Sequence, residues 1–77
     1  MESRANLIKR IRLENGLTQI QLAKRLGTNQ ANVSRWENGE VTPTDLSMAK
    51  MQKKLKWPAD AYDFINSTLP GQTTMFQ

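Results

Sequence analysis

Three helix-stop signals in the first half of the chain limit it to short helices. Asn15-Gly16, Gly27 and Asn38-Gly39 each place a residue that tolerates the left-handed backbone conformation at the end of an apolar segment. The stretches between these signals have room for about three helical turns at most. None of them alternates convincingly between apolar and polar residues, as a half-buried strand would. The sequence therefore predicts an all-α domain built from consecutive short helices.

Capping residues and apolar spacing place the first three helices. The first helix is predicted over Ser3–Glu14. The second begins after Thr18, whose hydroxyl can accept a backbone N–H, and the third spans Gln30–Glu37 after Asn29 as its cap. Residues at three- and four-residue spacing are predicted to face inward: Leu7, Ile8, Ile11, Leu22, Ala23, Leu26, Val33 and Trp36.

Two further helices are predicted after the loop over residues 40–43. The fourth starts at Thr44 or Asp45, and the fifth starts at Pro58, because proline suits the first turn of a helix. The fourth helix has an apolar set, Leu46, Met48, Met51 and Leu55, and a lysine set, Lys50, Lys53, Lys54 and Lys56. The packing residues of the fifth are Ala61, Tyr62, Phe64 and Ile65. We therefore expect one domain over residues 1–66 and a flexible polar tail over residues 67–77.

The composition limits the chemistry of this domain. The 77 residues include no Cys and no His, which argues against disulfides, metal sites and most nucleophilic catalysis. No cofactor and no enzymatic activity are expected. There is no apolar run long enough for a membrane span and no signal-peptide pattern, so a cytoplasmic location is expected.

Basic residues are concentrated in the first three quarters of the chain. Residues 1–58 hold all 11 Lys and Arg and five acids, for a net charge of +6, whereas residues 59–77 hold only Asp60 and Asp63. A basic body suits a polyanionic partner such as DNA, although a merely solvated cationic surface fits the same charge.

The segment over residues 18–37 carries the functional signal. Two short helices meet at a tight turn containing Gly27, and the small Ala23 lets them approach closely. Val33 and Trp36 hold the third helix from one side, so its other side faces outward. The predicted outward residues are Gln30, Ala31, Ser34 and Arg35. Glutamine can bond adenine with two hydrogen bonds, and arginine can bond guanine in the same way, so this face suits a major groove.

The motifs in this segment and around it resemble the lambda-repressor and Cro type of helix-turn-helix protein. The resemblance covers about residues 7–65. It rests on Gly16-Leu17-Thr18-Gln19, Leu22-Ala23, Leu26-Gly27, Val33-Ser34-Arg35-Trp36-Glu37-Asn38-Gly39 and Pro43. It implies a compact five-helix fold in which the third helix reads DNA.

The resemblance also implies a role for individual residues. Gln30, Ala31, Ser34 and Arg35 fall at or beside base-reading positions. Gln19, which would also brace the reading helix, falls at a phosphate-binding position, together with Thr18, Asn32, Asn38 and Gly39. Arg12 and Glu37 match an internal salt bridge, so Arg12 is interpreted as structural.

Three positions depart from the family pattern. Glu40-Val41-Thr42 stands where relatives often carry Lys or Arg near a phosphate, Lys56 replaces a helix-ending Gly, and Gln52 replaces a small apolar residue. Glu40 leaves room for a relative that binds a protein instead of DNA.

Two functional hypotheses follow. The leading one is a dimeric, phage- or bacterial-type repressor that regulates transcription from a near-palindromic operator on double-stranded DNA. Its homodimer would form through the C-terminal third, using Trp57, Tyr62, Phe64, Leu69 and the tail. The alternative is a protein-binding module on the same fold, an antirepressor acting on a repressor or an antitoxin pairing with a toxin.

Simpler interpretations of the site residues stay open. Gln30 and Arg35 could be ordinary solvated side chains, and Gln19 could serve only to start a helix. Ala31 could read a thymine methyl group or simply favour the helix. The lysines of the fourth helix fit a solvated face.

Overall fold

Five α-helices make up the fold. The computed structural model describes residues 2–68, with α1 over Arg4–Glu14, α2 over Gln19–Leu26, α3 over Gln30–Glu37, α4 over Asp45–Lys54 and α5 over Phe64–Thr68. No strand occurs in this range, so the predicted all-α class is confirmed. No helix within residues 2–68 is long and apolar enough to cross a membrane.

Side-chain caps set the starts of the first four helices. Thr18 and Gln21 form a capping box, in which Thr18 Oγ1 accepts from the Gln21 N–H and Gln21 Oε1 accepts from the Thr18 N–H. The other N-caps are Ser3, Asn29 and Thr44, each accepting an N–H three residues later. The predicted starts of α2, α3 and α4 are therefore confirmed.

One core joins all five helices. It contains the predicted inward residues of α1 and α2, together with Val33 from α3. Its buried members are Leu7, Ile8, Ile11, Leu22, Ala23, Leu26, Val33, Met48, Ala49, Met51, Leu55 and Phe64. Trp36 is partly buried and packs against them, so α3 has one face toward the core and one face outward.

The predicted start of the fifth helix was wrong. Pro58 opens only a turn, in which its carbonyl accepts the Ala61 N–H at 3.1 Å, and the helix begins at Phe64. The reason is a distant cap: Gln52 Oε1 of α4 accepts the Phe64 and Ile65 N–H groups at 2.8 and 3.2 Å. Asp63 Oδ1 accepts from Ile65 and Asn66 as well. The helix reaches Thr68, and the rest of the predicted tail, residues 69–77, lies outside the described residues.

Two apolar residues that were expected to pack are exposed. Leu46 is 61% exposed and Tyr62 is 62% exposed. Leu46 lies at the second position of α4, on the side away from Met48 and Met51. Phe64 is only 4% exposed, so it belongs to the core and is not available as dimer surface.

Two of the departures from the family pattern have structural roles. Gln52 caps α5, as described above, which a small apolar residue could not do. At Lys56 the backbone is held by Asn15: its Nδ2 donates to the Lys56 carbonyl at 3.2 Å and its Oδ1 accepts the Lys56 N–H at 3.0 Å. This reciprocal pair ties the end of α1 to the end of α4 without a glycine.

Candidate nucleic-acid interface

The turn between α2 and α3 fixes the angle of the predicted reading helix. Gly27 adopts a left-handed conformation with φ 71°, and the Thr28 N–H donates to the Ala23 carbonyl at 2.9 Å. Val33 is fully buried on the inner side of α3. Helices α2 and α3 are therefore packed together, and α3 has an outer face that is exposed.

The outer face of α3 holds the residues expected to read bases. Gln30, Ala31 and Arg35 are exposed, whereas Ser34 is half-buried. Arg35 Nη1 lies 3.3 Å from Asn32 Oδ1, so the guanidinium rests beside α3. Ser34 Oγ accepts a long hydrogen bond from Asn38 Nδ2 at 3.4 Å. The first three side chains are thus accessible to a partner approaching this face.

A chain of polar contacts joins this face to α1. Arg12 Nε and Nη2 donate to the two Glu37 carboxylate oxygens at 2.6 and 3.0 Å. Gln19 Nε2 donates to Glu37 Oε1 at 3.2 Å, and Gln30 Nε2 donates to Gln19 Oε1 at 3.4 Å. The Glu37 side chain is only 4% exposed and that of Arg12 only 12%. A nearly buried ion pair therefore positions Gln19, which in turn positions Gln30.

The residues expected to bind phosphate lie at the ends of α2 and α3. Thr18 uses its hydroxyl and its N–H in the capping box. Asn32 is half-buried, with Nδ2 donating to Thr28 Oγ1 at 2.8 Å. The backbone N–H groups of Asn38 and Gly39 donate to the Ser34 and Trp36 carbonyls at 2.9 and 3.2 Å. They close the end of α3, where the Asn38 side chain is exposed.

Sequence reasoning missed Arg4, which holds the loop between α3 and α4. Its Nη1 donates to the Pro43 carbonyl at 2.8 Å, and its Nη2 pairs with Asp45. Its guanidinium carbon also lies 5.0 Å from the centre of the Phe64 ring. Arg4 and Asp45 are 41 residues apart, so no local pattern could have indicated the pair.

Three arginines form ion pairs with most of the acidic residues. Arg4 pairs with Asp45, and Arg12 with Glu37. Arg10 contacts Glu2, Glu14 and Asp60. Hydrogen bonds from Arg10 to Glu2, then to Asp60, raise its pKa above the ordinary value. Within residues 2–68 the other basic residues form no ion pair: Lys9, Lys24, Arg25, Arg35, Lys50, Lys53, Lys54 and Lys56. The net positive charge is therefore carried by these eight side chains.

Comparison with known proteins agrees with this geometry. A family model described as helix-turn-helix matches residues 8–60. The chain belongs to this helix-turn-helix family, of the lambda-repressor and Cro type. The resemblance inferred from the motifs is thus confirmed, and the chain is a DNA-binding regulator of the helix-turn-helix kind.

Individual relatives come from bacteria and from a plant. Antitoxin HipB of Escherichia coli (strain K12) is 34% identical over 64 residues, which cover 83% of this chain and 73% of HipB. Antitoxin HipB of Escherichia coli O6:H1 is 40% identical over 64 residues, covering 83% of this chain and 68% of that protein. Multiprotein-bridging factor 1c of Arabidopsis thaliana is 37% identical over 49 residues, 64% of this chain and 33% of the factor. No solved structure gives a significant match.

Proposed function

We propose that this helix-turn-helix protein is a sequence-specific transcriptional repressor that binds a near-palindromic operator as a dimer. The observation that carries the proposal is the free outer face of α3. Gln30, Ala31 and Arg35 are exposed there, while Val33 is fully buried beneath them. The amide, methyl and guanidinium groups on this face match the base edges of a DNA major groove.

Each exposed group has a base that it fits. Gln30 would bond adenine and Arg35 guanine, each through two hydrogen bonds, and Ala31 would contact a thymine methyl group. Ser34, half-buried beside Asn38, would make a single hydrogen bond at the edge of this set. The Gln19 contact at 3.4 Å restricts the Gln30 amide before DNA arrives, which lowers the entropy that binding must remove.

Phosphate contacts would orient the domain on the duplex. Gln19 and Thr18 lie at the start of α2, where the helix dipole favours an anion. Asn32, Asn38 and Gly39 lie along and beyond α3, and the exposed Asn38 amide makes only a long hydrogen bond to Ser34 that a phosphate could replace. These contacts would fix register rather than sequence.

A dimer would place two reading helices on successive major grooves. We assign the contact to the C-terminal third, where Tyr62 is 62% exposed and Trp57 is half-buried. The two rings bracket Phe64, whose ring centre lies 4.8 Å from that of Tyr62 and 6.1 Å from that of Trp57. This aromatic surface is small, so we expect a weak dimer in solution that is strengthened by DNA.

Selection of bound sequences from a random DNA pool tests the proposal. Gln30→Ala should relax the preference at one A·T pair in each half-site, and Arg35→Ala at one G·C pair, each by about 1–3 kcal/mol. Arg25→Ala is the matched control for charge, because Arg25 is exposed in the last turn of α2 and is not one of the α3 residues. The control should weaken binding without changing the selected sequence. An unchanged selected sequence in both α3 variants would contradict base reading.

A second candidate function is that of an antitoxin or antirepressor that binds a protein partner. Two relatives that share 34% and 40% identity with this chain are named antitoxins, and the acidic Glu40 stands exposed in the loop after α3. Salt titration of binding to mixed-sequence DNA separates the two candidates. Phosphate contacts give a steep fall of log K with log salt concentration, and a shallow slope with weak DNA affinity would favour the protein partner.

A further inference from the structure

The outward face of α4 combines an exposed leucine with three lysines. Leu46 is 61% exposed, and Lys50, Lys53 and Lys54 are exposed one and two turns further along the helix. With Ala49 as its floor, this set lines a shallow groove of about 460 Å³, which we call the α4 groove. The opposite face of α4 is occupied by Met48 and Met51, both fully buried. Leu46 and the three lysines therefore lie outside the buried core.

No acid of the described chain neutralises the α4 groove. The one carboxylate in the first turn of α4, Asp45, pairs with Arg4 instead. The groove also continues toward the α2–α3 turn, because Lys50 Nζ lies 3.7 Å from the place that a Cβ on Gly27 would take. The result is a continuous cationic surface around one apolar side chain.

Charge and shape together select the occupant of this surface. We propose that the α4 groove binds an acidic protein segment that inserts an apolar side chain against Leu46. Lysine stems can lie along such a side chain while their ammonium groups reach carboxylates. A nucleic-acid backbone would satisfy the lysines, but its phosphates and sugars carry no hydrophobic side chain that could insert against Leu46. The proposal does not rest on base reading, because the groove residues are on α4 and the reading residues on α3.

A short fluorescein-labelled peptide is a suitable probe, with leucines at i, i+3 and i+4 spacing flanked by glutamates. Fluorescence anisotropy with the full chain should show saturable binding. A Lys50→Gln, Lys53→Gln, Lys54→Gln triple variant should bind roughly tenfold more weakly, since it loses three exposed charge pairs. Leu46→Ala should also weaken binding several-fold. These side chains are exposed, so circular dichroism should show an unchanged fold.

A matched control carries the same change in charge outside the groove: Lys9→Gln, Arg25→Gln, Lys56→Gln. It should bind the peptide nearly as well as the wild type. Equal weakening in both triple variants would overturn the proposal, because binding would then follow net charge alone. No effect of Leu46→Ala would overturn the apolar anchor.

Mixed-sequence DNA gives the remaining arm of the test. If the lysines of the groove touched phosphates, the triple variant would lose about 0.9 from the log–log salt slope for each lysine, which would make the α4 groove a DNA surface and overturn the proposal. An unchanged slope supports it. Failure of the groove proposal is distinguishable from failure of operator reading. Operator reading is measured by the sequence preference of the Gln30→Ala and Arg35→Ala variants.

Discussion

At the scale of single residues, Glu37 connects stability to recognition. It accepts two hydrogen bonds from Arg12 and a third from Gln19, and only 4% of its side chain is exposed. Its removal would leave the Arg12 guanidinium nearly buried without a counter-charge, although Arg12 Nη1 would keep its bond to the Leu17 carbonyl. A single side chain therefore supports both the packing of α1 against α3 and the orientation of Gln19.

Glu37→Ala should lower the free energy of unfolding by about 3–5 kcal/mol, because it strands a buried charge. Urea denaturation measures this change. Glu14→Ala is the control: Glu14 also pairs with an arginine, but its side chain is 54% exposed, so the loss should stay below about 1 kcal/mol. Equal effects of the two substitutions would show that the Arg12–Glu37 pair contributes no more than a surface ion pair.

At the scale of secondary-structure elements, α5 depends on a side chain from another helix. Gln52 accepts two N–H groups at the start of α5, and its Nε2 donates to Asp63 Oδ1 at 3.1 Å. Hydrogen bonds to Asp63 from the Asn66 backbone, Gln52 and the Asn66 side chain hold its pKa below the ordinary value. The Asp63 carboxylate thus stays ionised as a cap over this short helix.

Gln52→Ala should fray α5 and lower stability by about 1–2 kcal/mol, in the range of a lost N-cap. Far-ultraviolet circular dichroism and urea denaturation give the two measurements. Gln52→Glu should be worse at neutral pH, because a second carboxylate would face Asp63, and it should recover as the pH falls through about 4. An Ala variant as stable as the wild type would show that Gln52 does not hold this end of the helix, and a Glu variant as stable at neutral pH would show that the Gln52 Nε2–Asp63 hydrogen bond contributes nothing.

The helices show which parts of the fold a sequence can predict. Thr18, Asn29 and Thr44 are caps for the N–H groups three residues later, so the starts of α2, α3 and α4 follow from local chemistry. The start of α5 depends partly on Gln52, 12 residues away from Phe64. The proline rule therefore placed the start of the helix too early, at Pro58. Leu46 was misassigned because the apolar spacing of α4 gives no sign of which leucine the core has room for.

The candidate site divides in the same way. The exposed positions of α3 could be predicted because Val33 and Trp36 mark its inner face. The loop contact made by Arg4 could not, since its two partners, Pro43 and Asp45, lie 39 and 41 residues further along the sequence. The chain of contacts from Arg12 to Gln30 was foreseen only in part, through the family resemblance.

At the scale of the whole molecule, the proposed dimer makes a geometric prediction about the operator. Two reading helices must meet successive major grooves about 34 Å, or one helical turn, apart. Each domain alone offers the three exposed residues Gln30, Ala31 and Arg35, which is too little contact for tight specificity. Cooperative binding should therefore depend on the rotational phase of the two half-sites.

Inserting about 5 base pairs between the half-sites should abolish cooperative binding, because half a helical turn places the second half-site on the opposite side of the duplex. Inserting about 10 base pairs restores the side but doubles the separation, so the small aromatic surface around Tyr62 should recover little cooperativity. Electrophoretic mobility shifts across the three spacings, with the complex stoichiometry, give the measurement.

Tyr62→Ser should weaken cooperativity at the natural spacing and leave the affinity for a single half-site unchanged. Equal binding at all three spacings would mean that the domains bind DNA independently, and the dimer would then have to be abandoned.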